Sequence, residues 1–136
     1  MKNTLFPLLT FLLLIFVNIS NASAQQVNSK IQEVYGDQTQ TLVINDAERL
    51  VFLTDLIENR IKVIESPIVN GSDKHTKLST AALFNKYNSS LTRDLTCNPI
   101  TFNALKYDLK FSSKNTEVYR IDNTDYLIII QPQTTK

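Results

Sequence analysis

One cysteine, one histidine and two glycines are all that this chain of 136 residues holds of three residue types common in catalytic, metal and phosphate sites. With Cys97 alone, no internal disulfide can form. Small exported domains often use disulfides to compensate for small cores, so this one must rely on packing. One cysteine and one histidine cannot make a structural zinc site, which takes four nitrogen or sulfur ligands. Gly36 and Gly71 build no Gly-rich phosphate loop, and no G-x-S-x-G elbow marks a serine as nucleophile. The richest calcium candidate, Asp122-Asn123-Thr124-Asp125, lacks the ligand spacing and distal Glu of an EF-hand. A hairpin explains those residues, because Asx side chains are good turn formers. The expectation is no metal and no cofactor.

Charge of one sign is also missing. Fourteen Lys and Arg stand against 13 Asp and Glu, a net of +1. Without a basic stripe there is no electrostatic footprint for nucleic acid, and no attraction to an anionic membrane surface.

What is there begins with an apolar run. Met1-Lys2-Asn3 supplies one positive charge, Leu5 to Val17 is apolar apart from Pro7 and Thr10, and Ala22-Ser23-Ala24 is a small-residue step. These are the three parts of a cleavable secretory signal peptide over residues 1–24. The apolar stretch is about 13 residues, and a spanning helix needs roughly 20, so no stable membrane span is expected after cleavage. Residues 25–136 then form a single small globular domain, exported to a periplasm or the medium. The Lys-, Asn- and Ile-rich composition suggests a bacterial envelope.

Periodicity in that domain predicts an α+β fold. Asn28 to Tyr35 carries Ile31, Val34 and Tyr35 at helical spacing, with Gly36 at the stop. The main helix is expected over about 46–59. Asn45 and Glu48 give a capping-box-like start, Leu50, Leu53 and Ile57 form one ridge, and Phe52 and Leu56 a second. Asp46, Glu48, Asp55 and Glu58 fall on its outer side. Ile61 to Glu65 reads as a strand, Val69 to Lys77 as a surface loop, and Leu78 to Tyr87 as a short middle helix. Asn88 to Pro99 reads as irregular, anchored by Leu91 and Leu95.

The last third alternates. Leu105, Tyr107, Leu109 and Phe111 interleave with Lys106, Asp108 and Lys110, a period-2 strand. Strands over 116–122 and 125–131, joined by a two-residue Asn123-Thr124 connection, complete a three-stranded meander. Tyr126-Leu127-Ile128-Ile129-Ile130 is apolar on both faces and should not be a bare edge. The partner expected on its free side is 61–65. The predicted antiparallel sheet of about four strands has the order 105–111, 116–122, 125–131, 61–65, with the main helix on one face and short N-terminal and middle helices.

No catalytic constellation stands out. His75 lies in a polar loop beside Asp73 and Lys74, and Cys97 reads as a small buried hydrophobe. They are nonetheless the candidates for catalysis, as a small envelope hydrolase pairing His75 or Cys97 with a carboxylate. The leading expectation is a non-catalytic interaction or ligand-binding module. Its partner is an unidentified protein or small ligand. Tyr119, Tyr126 and Ile128 are the candidate contact residues, if the sheet face away from the main helix is uncovered. The same face offers a route to a homo-oligomer.

Overall fold

The protein is described from a computed structural model that covers residues 23–69 and 71–134. The expected leader, 1–24, lies outside the described residues except for Ser23 and Ala24. Residues 23–35 are helical (α1) and bury Val27, Ile31, Val34 and Tyr35, one stripe at helical spacing. Gly36 follows with φ +52°, a left-handed conformation that L side chains rarely adopt and helix ends commonly use. A 3-10 turn (Gly36–Gln38) and a wide π turn (Gln40–Ile44) carry the chain on, burying Val43 completely.

Helix α2 spans Ala47–Asp55. Its cap is Asp46, whose carboxylate accepts the Arg49 N–H at 3.0 Å. Asn45 cannot fill that role, because its backbone is still helical while Asp46 is extended, as an N-cap must be. A π turn over Leu56–Arg60 extends the helix. Leu53 and Leu56 are buried and Leu50, Phe52 and Ile57 pack beside them, so both expected ridges face the core.

Four strands follow: β1 (Ile61–Glu65), β2 (Thr76–Lys77), β3 (Glu117–Arg120) and β4 (Tyr126–Ile130), in the sheet order β1-β4-β3-β2. Antiparallel pairing sets Val63 opposite Ile128 and Ile128 opposite Tyr119. The expected union of 61–65 with the two-sided apolar strand is therefore present, and β4 is interior. The sheet is mixed rather than antiparallel, because β2 runs parallel to β3.

The segment 105–111 is not a strand of this sheet. It opens with a 3-10 turn (Ala104–Lys106) and touches an extended neighbour at one bridge, Leu83 with Tyr107. Beyond that its backbone bonds locally: Leu109 N–H donates to Tyr107 O and Phe111 N–H to Leu109 O, both at 2.9 Å. These are γ-turn bonds, which consume groups that a ladder would use. Burial still alternates, with Leu105, Tyr107 and Leu109 inside and Asp108 and Lys110 outside, but Lys106 is buried against the pattern. The place beside β3 goes to Thr76–Lys77, from the expected surface loop.

Three smaller expectations also change. The middle helix reduces to a 3-10 turn (Leu78–Thr80), because Ala82 O and Phe84 N–H bond to Asp108 and Lys106. The hairpin connection has four residues, 122–125, closed by Ile121 N–H on Tyr126 O at 3.0 Å, with Asn123 at φ +56°. Leu91 is buried as expected, but Leu95 is 99% exposed.

Pairing parity fixes the two sheet faces. Ile61, Val63, Tyr119, Ile121, Tyr126, Ile128 and Ile130 pack into the helical core. Lys62, Ile64, Val118, Arg120, Leu127 and Ile129 point the other way. Among the described residues no helix is long and apolar enough to cross a membrane.

Arg60 ties the core to the chain's end. It is 4% exposed, donates from Nε to Gln131 O at 2.9 Å and from Nη2 to Phe111 O at 2.5 Å, and lies 5.6 Å over the Phe52 ring. Its Nη1 is, among the described residues, the one buried side-chain nitrogen or oxygen without a partner. Replacing Arg60 with Met leaves two carbonyls without their charged donor. The expected loss is about 2–4 kcal/mol in urea unfolding, whereas Lys62→Met on the exposed neighbour changes stability by less than about 0.5 kcal/mol.

Candidate functional site

Three segments far apart in sequence meet around a cavity of about 300 Å³: the 3-10 turn after β2, the loop 93–97, and the hairpin tip 121–124. Its chemistry comes from Ser79, Arg93, Asp94, Cys97, Tyr107 and Asp122. Asp122 fastens the first and third segments. One carboxylate oxygen accepts the Ser79 N–H at 2.8 Å and the other accepts the Ser79 hydroxyl at 2.7 Å. Partial burial alone pushes the Asp122 carboxyl up. The Ser79 bonds outweigh it, helped by Asp122's own backbone N–H and the Lys77 charge, so the group titrates below its ordinary value. Asp122 is thus a carboxylate at neutral pH.

The loop is fastened by a second network. Lys106 Nζ reaches Asp94 at 2.6 Å and Glu33 of α1 at 3.4 Å, and the Tyr107 hydroxyl donates to Asp94 at 3.0 Å. Burial opposes the Lys106 charge, but the Asp94 hydrogen bond and charge, with Glu33, carry its pKa above the usual lysine value. Next to it, Arg93 donates to Ala81 O and lies 5.5 Å over the Tyr107 ring. Among the described residues Arg93 forms no ion pair with a carboxylate, and Asp122 forms none with a cation. The cavity therefore presents one charge of each sign without an ion-pair partner among the described residues, with Lys77 the cation whose field reaches Asp122.

Cys97 lines this cavity, half-buried. Burial first, and then the Asp94 charge, push its thiol pKa up. A thiol held protonated is a poor nucleophile.

His75 is elsewhere and does not line the cavity. Its Nδ1 lies 2.6 Å from Asp73 Oδ1, which also accepts the His75 backbone N–H at 3.1 Å. The other Asp73 oxygen accepts from Arg120 Nε at 2.6 Å, and Arg120 Nη1 donates to Ser66 O at 2.8 Å. The Arg120 bond chiefly, with those from His75, holds the Asp73 carboxyl down to about 2. This chain holds Ser66, Asp73 and His75 at one end of the outer sheet face, where Arg120 and Leu127 are buried. Among the described residues no hydroxyl or thiol is hydrogen-bonded to His75, and no group of three or more His, Cys, Asp or Glu could hold a metal ion.

The expected contact residues sit on the core side of the sheet. Ile128 is fully buried, Tyr119 is 6% exposed with its hydroxyl toward the Lys110 N–H, and Tyr126 is half-buried. The apolar groups on the outer face are instead Ile64, Val118 and Ile129, flanked by exposed Ile68 and Val69. One step in register parity separates the two sets. Ser79 and Arg93 carry no sequence signal as site residues, and Asp122 reads only as a turn former, because nothing local marks segments that meet through tertiary structure.

The Asp73 clamp gives a pH signature. A carboxyl depressed in the folded state stabilises the protein above its unfolded pKa, near 4, and that contribution is lost as pH falls through the folded value of about 2. Asp73→Asn is expected to be less stable than the parent at pH 5, with the gap closing toward pH 2 in urea unfolding. A gap that stays constant over that range contradicts an ionised clamp.

Comparison with known proteins gives no match: no family model, no curated protein and no solved structure is similar to this chain.

Proposed function

We propose that this chain is an exported, non-catalytic binding domain, and that its ligand is a small molecule held in the cavity between Ser79, Arg93, Cys97 and Asp122. The observation that carries the reading is the cavity itself. About 300 Å³ lies at the lower end of the size of ligand pockets, which run roughly 300–1,000 Å³ and combine apolar walls with a few polar groups. Leu78, Phe102 and Ile121 are buried apolar residues of its wall. Binding suits the chemistry better than catalysis. The Cys97 thiol is disfavoured as a thiolate, Asp122 is engaged by Ser79, and the lone histidine belongs to another cluster. A hydrolase reading through Cys97 or His75 needs a base beside a nucleophile, and among the described residues no nucleophile is hydrogen-bonded to His75 and no base to Cys97, which favours binding.

A second reading rests on a separate observation. In the β1–β4 ladder, the bonds Gln131 N–H to Arg60 O and Ser66 N–H to Asp125 O set the even-numbered residues of β1 toward β4. The backbone groups of Val63 and Glu65 then point outward along a sheet edge, while the Ile61 N–H donates back to Leu56 O. Ile64, Ile68 and Val69 beside it are 40%, 43% and 71% exposed. An edge of this kind accepts an added strand from a protein partner.

Titrating the purified, isotope-labelled protein with a library of small polar fragments separates the two readings by NMR. Shifts gathered on 79, 93–97 and 121–124 are expected. A library without effect on those residues contradicts the cavity reading and leaves the β1 edge as the binding surface.

A further inference from the structure

We propose that the cavity selects small dipolar molecules, an ammonium and a carboxylate on one apolar body, the class of aliphatic α-amino acids. This rests on the cavity being the ligand site. It goes further by assigning the ligand's charges.

Two side chains of opposite sign line the same cavity, and each lacks an opposite charge within ion-pair distance among the described residues. The third charged group of the wall, Asp94, differs from them. It is matched by Lys106 at 2.6 Å and by the Tyr107 hydroxyl, so it offers a ligand little net field. Arg93 and Asp122 are left to select. Arg93 spends one donor on Ala81 O, and a guanidinium has five, in a planar fork that suits a carboxylate. Asp122 accepts one N–H and one O–H from Ser79, and an ionised carboxylate has about four lone-pair positions, so it retains capacity for an ammonium. The Ser79 bonds also fix the carboxylate in place, so no side-chain freedom is lost when a ligand arrives.

Apolar surface supplies the rest of the fit. Leu78, Phe102 and Ile121 are 4%, 6% and 7% exposed and line the same cavity, giving apolar surface for an aliphatic side chain. Leu95 lines the same cavity but stands 99% exposed on the loop 93–97. A ligand with an aliphatic body gives Leu95 a surface to cover.

The single cysteine makes the test direct, since Cys97 reports on its own cavity. The rate of Cys97 alkylation by iodoacetamide is measured against rising concentrations of three matched probes: leucine, isoamylamine (ammonium alone) and 4-methylpentanoate (carboxylate alone). Leucine is expected to protect the thiol at concentrations at least ten-fold lower than either singly charged probe. In Arg93→Gln its advantage over isoamylamine should disappear, and in Asp122→Asn its advantage over 4-methylpentanoate. Arg93→Gln keeps the test decisive if Asp122→Asn does not fold. Equal protection by all three, or better protection by a singly charged probe, overturns the dipolar class while the cavity remains the ligand site. Protection by none of them also overturns it, and fragment shifts at 79, 93–97 and 121–124 then decide separately whether the cavity binds anything.

Discussion

A strand that is apolar on both faces is costly to leave in water, above all with a free edge, so its edges need pairing and its faces need cover. Tyr126–Ile130 is such a strand, and most of the architecture answers its demands. β1 and β3 take its two edges. The core under α1 and α2 receives Ile128 and Ile130, which are 0% and 1% exposed. On the other face Leu127 is 6% exposed, beside the point where Arg120 draws the loop 66–75 inward. Ile129, farther along β4, and Ile64, across the ladder from Leu127, are less covered. The face that looks away from the helices is thus closed around Arg120 and Leu127 and more open around Ile129 and on the β1 side.

Much of the remaining chain has little regular structure, and it is held by buried cations. Each of the three fastens an irregular segment to the core. Arg60 holds the chain after β4 and the turn at Phe111, Lys106 holds the loop at Asp94 to α1 through Glu33, and Arg120 holds the loop between β1 and β2. With one cysteine, no disulfide can do this within the chain. Carbonyl oxygens, carboxylates and aromatic faces compensate the buried charge, which is costly to bury alone. The same arrangement shapes the cavity. Lys106 matches Asp94, and in doing so leaves Arg93 and Asp122 as the charged side chains of the cavity without an ion pair among the described residues.

The parts of this fold that local pattern can show were legible. The two ridges of α2 and the stop at Gly36 follow from helical spacing, and the pairing of β1 with β4 follows from the two-sided apolarity of β4. Segment 105–111 misleads for a physical reason. Alternating burial requires only an extended chain lying on a core, and γ-turn bonds satisfy it as well as a ladder does. Nothing in Thr76–Lys77 marks an edge strand, because two residues are too few to show a period. Buried Lys106 and Arg120 are invisible to any pattern that treats charge as surface. The candidate site was the least legible, since Ser79, Arg93 and Asp122 become neighbours only through the fold. Parity accounts for the contact residues: Tyr119 and Ile128 face the core, while Val118 and Ile129, one step along, face outward.

Hydrogen exchange of the individual sheet amides tests the central constraint most directly. With β4 interior and paired on both sides, every amide from Leu127 to Ile130 should be strongly protected. In β1, Lys62 and Ile64 should be protected while Val63 and Glu65 exchange quickly. Fast exchange at alternate residues of 127–130 would show that β4 has a free edge, and the architecture derived from its two-sided apolarity would be wrong.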